Sequence, residues 1–236
     1  MLNKHHLSGV LIALGCLPLA VLAGTGATPA PASQLAADVV AFVGEKISVE
    51  VFPDTPEEIA ARKAEDERVM KERGMQRVSM RLNTRLKAKY RVLKVVAGQH
   101  TQDTIEFIAV DHYGRPRFAE QNPVLLYVKK DGAGAYVHVR YPYSFVYPTR
   151  DGNWASCSTG TELPERDSPE LLQAVHRVDF APAVEVPAAQ LQARLAQAMA
   201  MERASHYDIA GERATCRQGL TVGELVALHA NKVAAD

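Results

Sequence analysis

Basic residues alternate with other residues along the stretch 77–91, and this alternation constrains the fold more than any other feature. The basic residues all have odd numbers: Arg77, Arg81, Arg85, Lys87, Lys89 and Arg91. The even positions from Val78 to Val92 are mostly apolar. Successive side chains of a strand point to opposite faces, whereas helical spacing would mix the two sets. The pattern therefore predicts a strand with one face on a core, bent or broken near Asn83 because the run exceeds usual strand lengths.

The first residues have the layout of a secretory signal peptide. A polar start that includes Lys4 precedes an apolar run over 7–23, and small residues follow. We predict a signal peptide over residues 1–23 with cleavage before Gly24, and a flexible, Pro-rich leader over 24–37. The expected location is therefore the periplasm or the cell exterior, without a stable membrane span after cleavage.

Two other interpretations of this segment stay open. A membrane anchor would need a longer apolar run, and this one is interrupted by Gly15 and Pro18. Lipidation at Cys16 is the second alternative, because a glycine precedes this cysteine as in lipoprotein signals. However, Ala13 stands where such signals usually have leucine, and the apolar run continues beyond Cys16.

Removal of the signal peptide leaves two cysteines, Cys157 and Cys216. An even number of cysteines in an exported protein predicts a disulfide, and two cysteines allow one pairing. Closing a loop of about 60 residues stabilises the fold by about 4 kcal/mol in the chain-entropy treatment. The alternative is a pair of buried thiols.

The segment 38–148 predicts strands with one inserted helix. A β-branched run over 38–52 is a strand, and Thr55 with Glu58 forms a capping box for a surface helix over 56–73. A further strand is predicted over 102–114. A hairpin over 122–148 turns at its "DGAG" sequence, and alternate residues of its second arm are expected to share one face.

The segment 149–236 is predicted to be a loop followed by helices. The loop extends to residue 167, and the helices begin at Pro169, at Pro187 and after a capping box of Thr221 and Glu224. The predicted fold class is α+β: a small, antiparallel β-barrel of the oligonucleotide/oligosaccharide-binding (OB) type with an inserted helix and C-terminal helices. The disulfide would make the barrel and the C-terminal extension one unit.

Three stretches carry a resemblance to a known family: "DVVAFVGEKISVE", "KAKYRVLKVVAGQHTQDTIEFIA" and "NPVLLYVKK". They resemble a bacterial version of the netrin or tissue-inhibitor-of-metalloproteinase barrel. The matching positions are Val39 to Gly44, Val92 to Gly98, Asp103 to Ile105, and Val124 to Val128. The resemblance implies a protein-binding barrel, sometimes a protease inhibitor, and not an enzyme. Inhibitors of that family bind zinc through an N-terminal cysteine, which has no counterpart before Cys157, so no functional residue is carried over.

Motifs for catalysis, metal binding or phosphate binding are not found in the sequence. It contains no Gly-rich phosphate loop, no His-Glu-x-x-His and no Gly-x-Ser-x-Gly, and its histidines do not have metal-ligand spacing. We therefore predict no cofactor, no metal and no catalytic residue. A hydrolase that uses His112 or His138 is the least favoured alternative.

The basic face, defined as the six basic residues of 77–91, has two interpretations. It is a docking surface for an acidic partner, or it is neutralised by the acidic residues of the helix 56–73. Nucleic acid is not expected as the partner, because Lys plus Arg equals Asp plus Glu at 27 each and aromatic residues do not interleave with the basic ones.

An aromatic patch is the second candidate binding surface. Its members are Tyr136, His138, Arg140, Tyr141, Tyr143, Tyr147 and Trp154. Aromatic side chains and arginine are enriched at interface hot spots, although burial in a core is the common use of aromatics. The expected function is an exported, non-enzymatic binding protein that acts by protein–protein contact, inhibitor-like or immunity-like. The alternative is a structural or assembly protein of the cell envelope.

Overall fold

The structure, a computed structural model, describes residues 35–74, 83–112, 114–140, 142–160, 168–189, 191 and 204–234. The predicted signal peptide, most of the leader and most of the helix predicted over 187–207 lie outside these residues. Arg77, Arg81 and Tyr141 lie outside them as well.

Five strands form a closed barrel. They are β1 (Val39–Val51), β2 (Thr84–Ala97), β3 (Thr104–Asp111), β4 (Val124–Lys130) and β5 (Tyr136–His138). The strand order is β1-β2-β3-β5-β4, and β4 pairs again with β1, which closes the sheet. All pairings are antiparallel except that of β3 with β5, which consists of the parallel bridge Ile108–Val137. The predicted α+β class with a small OB-like barrel is confirmed.

Alternate side chains of β2 point into the interior of this barrel. Leu86, Ala88 and Tyr90 are buried inside, whereas Lys87 and Arg91 are exposed on the other face. Aromatic rings fill the interior: the Tyr90 ring stacks on Phe107 with centroids 5.6 Å apart, and Phe118 packs against both. The two-faced strand predicted from the basic alternation is confirmed from Thr84 onward.

The inserted helix α1 (Pro56–Arg73) begins and ends as predicted. The Thr55 hydroxyl accepts a hydrogen bond from the Glu58 backbone N–H, and the Glu58 carboxylate accepts one from the Thr55 N–H. Gly74 ends the helix with φ of 66°, a left-handed conformation that glycine adopts without steric cost. Val69 is the buried residue of α1, so the helix lies on the surface.

The first half of β1, over residues 39–44, and most of β4 are buried on both faces. Phe42 and Leu126 point into the barrel, whereas Val43 and Tyr127 pack outward against the C-terminal helix α3 (Val222–Ala234). A strand buried on both faces reads as a continuous apolar run rather than an alternating one. The outer layer between the barrel and α3 is therefore a second core. The sequence pattern did not show that α3 would pack on this side of β1 and β4.

The second arm of the predicted hairpin is irregular. After β5 it returns to β4 as strand β6 (Ser144–Pro148), which then pairs with β7 (Trp154–Ser156). The pairs Val128–His138 and Val124–Phe145 are four residues apart along β4 but seven residues apart along the second arm. This bulge changes the faces: Val139 lies in the outer layer and Tyr143 in the barrel interior. The expectation of one shared face along this arm is wrong.

The C-terminal extension contains more strands than predicted. Helix α2 (Pro169–Ala174) is followed by β8 (His176–Arg177), β9 (Glu185–Pro187), β10 (Tyr207–Ala210), β11 (Arg213–Cys216) and β12 (Gln218–Gly219). These form a three-stranded sheet, β10-β11-β9, and a two-stranded sheet, β12-β8. The predictions for this segment included no strand over 207–219, where short strands turn at Gly211 with φ of 59°.

The predicted disulfide is confirmed. Cys157 and Cys216 are bonded, with their Cα atoms 6.0 Å apart and a sequence separation of 59 residues. The bond ties β11 to the segment that follows β7. Within the described residues, no helix has the length and apolar character needed to cross a membrane.

Candidate functional site

Each described member of the basic face contacts a carboxylate. The Arg85 guanidinium lies 2.7 Å from Glu58 of α1, and Arg91 lies 3.2 Å from Glu45 of β1. Lys87 and Lys89 share Glu106 of β3, at 3.3 and 2.9 Å.

These contacts favour internal neutralisation over docking for this part of the face. Hydrogen bonds from Lys89 and Lys87 lower the pKa of the exposed Glu106 carboxyl, which keeps it ionised between them. The neutralising acids differ from those expected. Among the described members of the basic face, only Arg85 pairs with α1, whereas Glu106 and Glu45 come from neighbouring strands.

The structure does not gather the described members of the aromatic patch on one surface. Tyr143 and His138 pack against Phe118 around the barrel interior, with ring centroids 6.0 and 4.7 Å away. Tyr147 packs on Phe180 near the disulfide. Tyr136 lines a small cavity of about 420 Å³ beside β3, which Lys87 also lines. Arg140 is half-buried and does not line this cavity.

Trp154 lies in a larger cleft of about 780 Å³, here named the Trp154 cleft. Its walls come from the end of β2, the segment from residue 149 to β7, the segment 176–179 and the start of α3. Apolar side chains contribute much of the lining: Val95, Val96, Trp154, Ala155, Val178 and Val222. Clefts of about 300–1,000 Å³ with mainly apolar walls and a few polar groups are typical ligand sites.

A tight turn fixes one polar wall of the cleft. The Thr149 N–H donates to the Asn153 carbonyl, and Gly152 has φ of 78° within the turn. The Asp151 carboxylate accepts hydrogen bonds from the side chains of Thr149 and Asn153, which lower its pKa to about 2. Lys94 of β2 donates to the Asn153 side-chain oxygen at 2.6 Å. The polar atoms of this wall are therefore held in place before any ligand arrives.

A second wall of the cleft, formed mainly by the segment 176–179, carries further charged residues. Arg150 and Asp179 form an ion pair at 2.8 Å between the two lining segments. His176 donates to Glu224 at 2.9 Å, and this hydrogen bond raises the pKa of His176. Burial opposes ionisation of Glu224, but hydrogen bonds from His176 and Thr221 together lower its pKa. The exposed side chain of Arg177 completes this wall.

Helix α3 is positioned beside the cleft by its cap and by its buried face. The predicted capping box of Thr221 and Glu224 is present: the Thr221 N–H donates to the Glu224 carboxylate at 2.7 Å. Nδ1 of buried His229 lies 3.0 Å from the Tyr127 hydroxyl, and this hydrogen bond ties the helix to β4. A Cβ atom at Gly223 would meet no atom within 4 Å, so the helix start leaves the cleft open there.

The histidines proposed for a hydrolase lie in unrelated places. His138 stacks near Phe107 and Phe118, and exposed His112 contacts the Asn83 side chain at 3.1 Å. Among the described residues, no cluster of three or more His, Cys, Asp or Glu side chains has a geometry that could hold a metal ion.

No protein-family model, curated protein or solved structure matches this chain. The resemblance to the netrin and tissue-inhibitor-of-metalloproteinase barrel therefore stays an expectation drawn from short motifs.

Sequence reasoning identified one residue of the cleft and missed most others. The sequence placed Trp154 in the aromatic patch, the second candidate binding surface. Lys94, Asn153, Arg177 and Gly223 were missed, because pairings of residues far apart in sequence bring them together. The available signal was the turn "RDGNW", which combines turn formers with an aromatic residue.

Proposed function

We propose that this protein is an exported, non-enzymatic binding protein that acts by protein–protein contact. An anchor residue of its partner enters the Trp154 cleft. The observation that carries the proposal is the cleft itself: a concave, largely apolar site with a half-buried tryptophan and arginines at its walls. Interface hot spots are enriched in tryptophan and arginine and lie in such pockets.

The construction of the cleft supports this proposal. Its walls belong to the closed barrel, to a hydrogen-bonded turn and to a capped helix, so little ordering is needed on binding. A preformed site loses less conformational entropy on association than a flexible one. The disulfide is compatible with the oxidising compartment to which the predicted signal peptide would direct the chain.

Affinity purification tests the proposal. The tagged chain, produced in its own host with its native leader, is purified from the envelope fraction, and retained proteins are identified by mass spectrometry. Trp154→Ala is compared with the double variant Lys87→Gln/Lys89→Gln, which removes charge from the basic face instead. We expect one stoichiometric partner on the wild-type chain, its loss with Trp154→Ala, and its retention with the double variant.

Two outcomes would overturn the proposal. Equal capture by the Trp154→Ala chain would mean that the cleft is not the contact site. Loss of the partner in the double variant, with retention by Trp154→Ala, would assign contact to the basic face. Circular dichroism of each variant distinguishes a lost contact from a lost fold.

A hydrolase is the second candidate, favoured by one observation. The Ser158 hydroxyl lies 2.7 Å from Nδ1 of His206, within the range of a nucleophile and its base. Ser158 has φ of 55°, the positive value that marks strained backbone in a residue other than glycine. Both side chains are buried, which argues for a structural pair. Covalent labelling by a fluorophosphonate, absent in Ser158→Ala, would establish the hydrolase; an unlabelled wild-type chain would remove it.

A further inference from the structure

We propose that the segment entering the Trp154 cleft is an acidic peptide, with one carboxylate side chain flanked by apolar residues. This inference rests on the proposed function and deepens it by naming the chemistry of the partner's anchor. It assigns the carboxylate to Lys94 and Arg177, and the neighbouring apolar side chains to the surface around Trp154.

The charged side chains that line the cleft favour an anionic group on the ligand. Its lining includes three basic side chains, Lys94, Arg150 and Arg177, and two acidic ones, Asp151 and Asp179. Asp179 already holds Arg150 at 2.8 Å. Asp151 accepts its hydrogen bonds from the neutral side chains of Thr149 and Asn153.

Lys94 and Arg177 are the cations available to a ligand. Neither lies within ion-pair distance of a carboxylate in the described part of the chain, and Lys94 instead contacts the neutral Asn153 amide. The described members of the basic face differ, since each already has an acidic partner. A carboxylate entering the cleft would therefore form charge-assisted hydrogen bonds without displacing an existing ion pair.

The remaining lining restricts what surrounds that carboxylate. Val95, Val178 and Val222 present apolar surface beside Trp154, which favours apolar neighbours on the ligand. The carboxylates of Asp151 and Asp179 also line the cleft, and they would repel a polymer with closely spaced negative charges. A single acidic side chain between apolar ones satisfies both conditions, whereas nucleic acid or polyphosphate does not.

Trp154 is the only tryptophan of the chain, so its fluorescence reports on this site alone. The probes are the blocked peptides acetyl-Leu-Glu-Leu-amide, acetyl-Leu-Gln-Leu-amide and acetyl-Leu-Lys-Leu-amide. We expect a saturable change in Trp154 emission with the Glu peptide. Binding should be about tenfold weaker with the Gln peptide, because one charge-assisted contact is lost, and weaker still with the Lys peptide.

Variants of the chain test the assignment of the two cations. Lys94→Gln/Arg177→Gln should weaken binding of the Glu peptide by about tenfold or more and should abolish the preference for Glu over Gln. Lys87→Gln/Lys89→Gln removes the same number of charges from the basic face and should leave the affinity unchanged. Higher salt should reduce the preference for Glu, because the cleft is open to solvent.

Three results would overturn the inference. The first is equal affinity for the Glu and Gln peptides, and the second is unchanged binding by Lys94→Gln/Arg177→Gln. The third is tighter binding of trigalacturonate than of the Glu peptide, which would assign the cleft to an acidic glycan. Partner capture that depends on Trp154 without a Glu preference would leave the proposed function standing and reject only the acidic anchor.

Discussion

Strand β2 contributes to two charged surfaces that differ in character. Its first half, from Arg85 to Arg91, displays basic side chains on a sheet face where Glu58, Glu106 and Glu45 neutralise them. Its second half reaches the Trp154 cleft, where Lys94 contacts a neutral amide. The first surface is dense in charge and already paired, whereas the second has fewer charges in a concave, partly apolar setting.

Charge density in a sequence therefore does not by itself identify the cations that are open to a partner. Exposed ion pairs between neighbouring strands contribute little energy and leave little field for a partner. A cation held in a cleft beside apolar surface can contribute more, because a ligand that fills the cleft excludes water around the contact. We expect the cleft to depend on long-range ties that the basic face does not need.

The largest effect is expected from removing the disulfide. Cys157→Ala/Cys216→Ala releases a loop spanning 59 positions, and the free energy of unfolding should fall by about 4 kcal/mol, measured by urea denaturation. Hydrogen exchange should then show faster opening of β10 to β12 and of the cleft walls, while β2 from Arg85 to Arg91 keeps its protection. Uniform loss of protection along both halves of β2 would contradict the separation of the two regions.

Acid should loosen the helix wall of the cleft. Burial lowers the pKa of His229 from an ordinary value of 6.5 to about 4, with Lys232 adding to the shift. The folded state therefore binds fewer protons than the unfolded state, so the contribution of uncharged His229 to the free energy of unfolding is complete above pH 6.5. It is lost as the pH falls from 6.5 to 4, by about 3 kcal/mol.

Urea denaturation at pH 7 and pH 4 measures this loss. The control is His229→Gln, which cannot titrate and can still hydrogen-bond Tyr127. Between pH 7 and pH 4, its free energy of unfolding should fall by about 3 kcal/mol less than that of the wild-type chain. An identical pH dependence in the two chains would show that His229 does not couple the helix to protonation.

Two tyrosines sharpen the contrast between the barrel interior and the outer layer. The Tyr127 hydroxyl is bonded to His229, so Tyr127→Phe should lose about 1 kcal/mol. The buried Tyr90 hydroxyl has no hydrogen-bond partner among the described residues, so Tyr90→Phe should gain about 1 kcal/mol. Thermal denaturation of both variants should give shifts of opposite sign; destabilisation by both would contradict this account of the barrel interior.

The smallest effect is expected at the basic face. Lys87 is exposed, Lys89 is partly exposed, and both share one carboxylate. Lys87→Gln and Lys89→Gln should therefore each change stability by less than about 1 kcal/mol. The two changes should not add, because Glu106 keeps one partner after either substitution. Urea denaturation of the single and double variants measures this, and a larger, additive loss would mean that the face supports the barrel.

The sequence predicts features that depend on local periodicity better than those that depend on distant contacts. Alternation along β2 predicted the barrel strand. The capping residues Thr55 and Thr221 predicted the starts of α1 and α3. The bulge after His138 and the strands over 207–219 escaped prediction, because register and strand pairing are set by partners remote in sequence. The cleft escaped for the same reason: its walls come from four separate segments.

The most direct test compares the affinity of the captured partner for two variants of this chain by calorimetry. Gly223→Leu places a side chain in open space at the cleft, and Lys87→Gln/Lys89→Gln alters the basic face. We predict that binding weakens by about tenfold or more with Gly223→Leu and stays within about twofold with the double variant. Unchanged binding by Gly223→Leu, together with a large loss in the double variant, would contradict the central claim that the Trp154 cleft is the binding site.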